Sequence, residues 1–131
     1  MQAELIKQIA EEALEEIKAR DIVVLDTGKL TSLFDFMIVA TADSARQTKA
    51  LAGNVMEKIK AAGGQVLGIE GEQAGEWVLV DLGSVIVHIM LPAARDYYNL
   101  EQLWGGPVQR RVSAARRSAD ERIVDTRVAR P

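Results

Sequence analysis

The residues with the most chemical potential fall between Glu70 and Trp104, a stretch holding both tryptophans, both tyrosines and the only histidine. His88 is the one candidate base for Ser-His-Asp chemistry. It sits inside the apolar run VIVHIML, and alternation along a strand puts it on one face with Ile86 and Met90. That setting suits a buried, hydrogen-bonded imidazole better than a general base. Metal-assisted phosphoryl transfer needs two or three carboxylates around two ions. Gly83-Ser84 could open such a site, but Val85 to Leu91 carries no carboxylate. Asp26, Asp35 and Asp81 stand apart and suit turns and strand ends. Neither G-x-G-x-x-G nor G-x-x-x-x-G-K-[ST] occurs, so no phosphate cradle is written locally. The chain has no cysteine and one histidine, which excludes Cys-based and His-rich metal sites. No cofactor is expected.

What remains is recognition. Arg95, Asp96, Tyr97, Tyr98, Glu101 and Trp104 bring polar and aromatic groups together, and Trp and Tyr are favoured at interface hot spots. Trp77 begins a strand beside a Gly-rich loop, which leaves it partly open. Tyr97 and Tyr98 are helix neighbours about 100° apart. One is therefore expected in the core and the other toward a partner.

The elements that must position these residues follow from periodicity. Residues 2–20 read as an amphipathic helix with Leu5, Ile9, Ala13 and Ile17 on its apolar side. Ile22 to Leu25 and Phe36 to Ala40 read as strands. A helix capped by Asp43 or Ser44 runs to about Ala62, where Gly63-Gly64 stops it. Gly53 inside it weakens it by about 1 kcal/mol relative to Ala, and a close packing contact would explain its presence. Val66 to Ile69 reads as a third strand, so Phe36 to Ile69 forms a βαβ unit with parallel strands and a right-handed crossover. Trp77 to Val80 and Val85 to Leu91 pair antiparallel across the turn at Gly83. A short helix starts at Pro92. The expected fold is α/β: a mixed five-stranded sheet with flanking helices.

The 131 residues make about one domain, and 48% hydrophobic with 27% charged content fits a globular chain. The first twenty residues lack the apolar core of a signal peptide, and no run reaches a membrane span. A cytoplasmic location without membrane contact is the expectation. Charge is unevenly spread. From Pro107 to Pro131 seven arginines face Asp120, Glu121 and Asp125, a net of +4. Residues 1–106 hold nine basic against sixteen acidic side chains, a net of −7. The chain therefore divides into a folded body at 1–106 and a basic, flexible Arg-rich tail at 107–131.

Several strings resemble one known family, the ribosomal silencing factors (RsfS, or Iojap). They are LFDFMIV from Leu33, DSARQTKA from Asp43, Glu70-Gly71, GEWVLVDLGSVIVHI from Gly75, and ARDYYNLEQLW from Ala94 to Trp104. The resemblance runs from about Ile6 to Trp104. It implies a nucleotidyltransferase-like fold without the catalytic carboxylates, and no enzymatic activity. It implies binding to the large ribosomal subunit through ribosomal protein L-fourteen, a block on subunit joining, and repressed translation under nutrient limitation. Free members are commonly homodimers. Carried over by motif position, the partner-binding candidates are Glu70, Trp77, Asp81, His88, Arg95, Tyr97 and Tyr98. The tail beyond Pro107 departs from the family pattern, and its arginines suit a peripheral contact with ribosomal RNA.

Two other classes compete. A nucleotidyltransferase-like enzyme would bind nucleotide with a metal ion. An adaptor would use the acidic face of the first helix, Glu11, Glu12, Glu15 and Glu16, to hold a basic partner.

Overall fold

The computed structural model describes residues 1–100 and the strand at 109–112. In chain order the elements are α1 (Ala3–Glu16), β1 (Arg20–Asp26), β2 (Phe36–Thr41), α2 (Ala45–Ala61), β3 (Gly68–Glu70), β4 (Trp77–Asp81), β5 (Val85–Met90), α3 (Pro92–Tyr98) and β6 (Gln109–Val112). Glu101 and Trp104 lie outside the described residues, as does the tail from 113 onward. Among the described residues no helix is long and apolar enough to cross a membrane.

Local chemistry sets the helix ends. The Ser44 hydroxyl accepts from the Gln47 amide at 3.1 Å and caps α2. Lys58 and Lys60 occupy the last turn, where the helix dipole favours cations. Gly63 then takes φ +91°, which only glycine adopts without strain. The buried stripe of α2, Thr48, Leu51, Ala52, Val55 and Ile59, follows the helical repeat. Gly53 does not fit the close contact expected of it. A Cβ built there meets nothing within 4 Å, and the residue is exposed.

The strands form one mixed sheet in the order β3-β4-β5-β2-β1-β6. β2 and β5 pair in parallel and the other pairings are antiparallel. The pairings make β3 run in the direction of β2, as the βαβ reading requires, but β4 and β5 lie between them. The physical reason is composition. Val85–Met90 is nearly all apolar and mostly buried, which suits an inner strand. Gly68-Ile69-Glu70 is short and ends in an exposed carboxylate, which suits an edge.

The sheet has a sixth strand. Gln109–Val112 pairs with β1, with Leu25 opposite Gln109 and Ile22 opposite Val112. These four residues fall in the stretch assigned from sequence to the flexible tail. Four residues reading QRRV carry no alternation that could mark them as a strand. Their pairing covers an edge of β1 that would otherwise be open.

The two sheet faces differ. The larger core joins Leu14, Leu51, Val55 and Ile59 of the helices to Ile22, Ile38, Val78, Val87 and Ile89 of the sheet. The opposite face carries a smaller cluster, Val23, Leu25, Met37, Val39 and Met90, with Phe34, Trp77, Ala94 and Leu100 packed against it. Among the described helices, only α3 contributes to this second cluster, through Ala94.

Candidate functional site

Trp77 is placed by its backbone. Gly71 has φ +83°, and a Cβ there would come within 2.1 Å of the Trp77 carbonyl oxygen. Gly75, at φ +76°, would set a Cβ 2.8 Å from that of Ala45. The Gly71–Gly75 loop therefore lies flat against β4 and the start of α2, and only glycine permits both approaches. The Leu91 amide donates to the Glu76 carbonyl at 2.9 Å, which fixes the end of β5 beside the start of β4. Trp77 is thus held at one end of the second face, half-buried.

The β4–β5 register puts Leu79 opposite His88 and Trp77 opposite Met90. His88 is therefore the diagonal neighbour of Trp77, within reach of a long side chain. The indole Nε1–H donates to His88 Nδ1 at 2.9 Å, and the ring centroids are 5.8 Å apart. Nδ1 accepts, so the neutral ring carries its proton on Nε2. His88 is buried, and this desolvation pushes its pKa down from 6.5 to about 4.

α3 completes the group. Pro92 occupies its first turn, and Asn99 ends it in the left-handed conformation at φ +49°. The Tyr98 ring lies 4.4 Å from that of Trp77, tilted by 47°. Tyr97 meets Tyr98 edge-on at 5.0 Å. Both tyrosines are exposed, Tyr97 at 82% and Tyr98 at 50%, so neither enters the core. A helix of two turns at the end of a sheet has room to bury only one narrow side, and Arg95 takes it.

Arg95 is buried to 9% exposure. Its Nη1 donates to the Asp21 carbonyl of β1 and, at 2.7 Å, to the Thr41 hydroxyl of β2. Asp21 has φ +49° and sits where the β1–β2 register shifts between Arg20 and Val23. A polar pocket of about 320 Å³ opens beside it, lined by Arg20, Asp21, Thr41 and Arg95 among others.

The remaining candidates lie apart from the aromatic group. Asp81 ends β4, four residues from Trp77, and its carboxylate accepts from the Gly83 amide at 2.9 Å. Glu70 is exposed at the end of the edge strand β3, opposite Leu79. Asp26 likewise accepts from the Gly28 amide at 3.2 Å. Asp26 and Asp81 are turn-closing carboxylates. Among the described residues no three His, Asp or Glu side chains gather to hold a metal ion.

The structure brings together Trp77, His88, Tyr97 and Tyr98, and seats Arg95 beneath α3. It leaves Glu70 and Asp81 outside that group. Asp21 and Thr41 were not legible from sequence, since their role is set by a bulge and a strand end. The Gly71 requirement is also conformational, though Glu70-Gly71 was visible as a motif. Leu30 and Leu33, between β1 and β2, are exposed at 54% and 79%.

Comparison with known proteins gives one consistent result. A family model described as "Ribosomal silencing factor during starvation" matches residues 2–130, well past Trp104. The ribosomal silencing factor RsfS of Chromobacterium violaceum is 61% identical over 106 residues, covering 81% of this chain and 87% of that protein. The mouse mitochondrial assembly of ribosomal large subunit protein 1 is 32% identical over 94 residues, covering 70% of this chain and 41% of its own length. A crystal structure of a Chromobacterium violaceum protein superposes with a TM-score of 0.79 at 60% identity, covering 82% of this chain and 90% of that one. The helix–sheet architecture and these matches agree: the chain belongs to the ribosomal silencing factor (RsfS) family.

Proposed function

We propose that this protein docks on the large ribosomal subunit through ribosomal protein L-fourteen, blocks subunit joining by its bulk, and so represses translation when nutrients are short. The observation that carries this reading is the aromatic cluster Trp77–Tyr98–Tyr97, tilted and edge-on to one another, held on the sheet face that only α3 among the described helices covers, with its outer ring 82% exposed. Preordered aromatics supply contact area at low entropic cost, as interface hot spots require. Trp77 and the two tyrosines are the contact residues. His88 and Arg95 support them from inside, and Glu70 and Asp81 lie at the margin.

A steric factor needs an affinity patch on one side and bulk on the other, with no active site. The side chains that could otherwise suggest catalysis have structural duties: His88 Nδ1 holds the indole, and Asp26 and Asp81 close turns. The −7 body suits a basic ribosomal protein, and complementary charge speeds encounter. Bare RNA would repel that body, which leaves the Arg-rich tail as the place for a peripheral ribosomal RNA contact. The protein acts in the cytoplasm and is a homodimer when free, in keeping with the family resemblance.

Sedimentation with separated ribosomal subunits tests the reading. Co-migration with the large subunit, lost in Trp77→Ala, is expected. Co-migration with neither subunit would overturn it.

A further inference from the structure

We propose that Arg95 is the positioning residue of the aromatic patch. It locks α3 to the sheet so that Tyr98 lies on Trp77, and it makes no contact with the partner itself. The inference rests on the docking role proposed for that patch.

Three observations carry it. Arg95 is 9% exposed, while Asp96, Tyr97 and Tyr98, which follow it on the same short helix, are all exposed. Its Nη1 reaches two different strands, the Asp21 carbonyl on β1 and the Thr41 hydroxyl on β2. The Asp21 backbone is turned into the left-handed region at the register shift of β1, the point at which Arg95 meets it. One side chain thus ties the helix to two strands at once.

Such a lock is needed because a helix of seven residues is not stable by itself. Besides the Tyr98–Trp77 contact itself, its described apolar attachment is the packing of Ala94, and of Leu100 just beyond it, against the Met90 cluster. Apolar packing sets rotation about the helix axis less strictly than a directed hydrogen bond does. A two-acceptor hydrogen bond from a planar guanidinium sets direction as well as distance, which an ammonium does not. Rotation of α3 would carry Tyr98 off the indole.

The test has an arm that needs no ribosome. Aromatic NMR shifts of Tyr98 report its place over Trp77. In Arg95→Ala they are expected to move to solvent-exposed values while the methyl signals of Val78 and Ile89 hold. Arg95→Lys should restore them only in part, and Thr41→Val should shift them in the same direction by less. In the second arm, Arg95→Ala should lower affinity for the large subunit about tenfold, yet by less than about twofold when added to Tyr98→Ala, because both act through one ring. Unmoved Tyr98 shifts in Arg95→Ala would overturn the proposal, as would losses that multiply fully in the double variant. Should Arg95→Ala fail to fold, unmoved shifts in Thr41→Val overturn it. If Tyr98 moves but neither Trp77→Ala nor Tyr98→Ala weakens subunit binding, the positioning role stands and the docking reading falls.

Discussion

The indole N–H of Trp77 donates to Nδ1 of His88 across adjacent strands at 2.9 Å. The bond uses the only donor the indole has, so any further contact to Trp77 meets its apolar face and edge. It also requires a neutral imidazole, because a protonated ring would carry hydrogen on both nitrogens. Two residues that read as separate contacts therefore act as one supported unit.

A pH dependence follows. The unfolded ring takes a proton near pH 6.5, and burial delays this in the folded protein to about 4. Above pH 6.5 neither state is protonated and stability is full. As pH falls through this window the unfolded state gains a proton that the folded state lacks, and stability drops. The loss levels off below about 4 and amounts to something on the order of 3 kcal/mol. Urea unfolding across this range should show the slope in the wild type and a flatter one in His88→Gln. Equal slopes would contradict the assignment.

Gly71→Ala should be strongly destabilising. The residue has φ +83°, and the added Cβ would meet the Trp77 carbonyl oxygen at 2.1 Å. Strain and backbone displacement together should cost about 2 kcal/mol or more. Urea denaturation measures the loss, and a blue or red shift in Trp77 emission reports the moved indole. A stability within about 0.5 kcal/mol of wild type would contradict the packing described.

Gly53→Ala should do the opposite. The site is mid-helix, exposed and free of neighbours within 4 Å. Replacing a flexible residue in a helix interior should stabilise by about 1 kcal/mol, raising the urea midpoint without changing the slope of the transition. A lower midpoint would mean that the position is constrained after all.

The two tyrosines should separate stability from binding. Tyr97 is 82% exposed and meets the Tyr98 ring edge-on, so Tyr97→Ala should change stability by less than about 0.5 kcal/mol. Tyr98→Ala removes the ring packed at a tilt against Trp77 and should cost about 1 kcal/mol. Both should weaken large-subunit binding. Thermal unfolding and subunit affinity, measured on the same preparations, check the pair.

The helices and the five strands were legible because their apolar residues recur at the right period and Gly, Ser or Pro marks their ends. Strand order was less so. That two strands, β4 and β5, separate β3 from β2 depends on which segment is apolar enough to sit inside the sheet. The four residues of β6 have no pattern of their own and owe their conformation to the open edge of β1. At the site, the motif string pointed to Trp77, His88, Tyr97 and Tyr98, but the Trp77–His88 bond depends on register and could not be read from spacing. Arg95 was named from the motif as a partner contact, but arginine reads as a surface residue, so its burial was not legible, and its acceptors lie 74 and 54 positions away in sequence. Such long-range polar contacts leave no local signature.

The most direct measurement is light-scattering detection of subunit joining with purified subunits. Wild-type protein, added to large subunits first, should suppress the rise in scattering, and Trp77→Ala at the same concentration should restore it. Undiminished joining with the wild type, or equal suppression by Trp77→Ala, would contradict the claim that this aromatic patch holds a steric block on the large subunit.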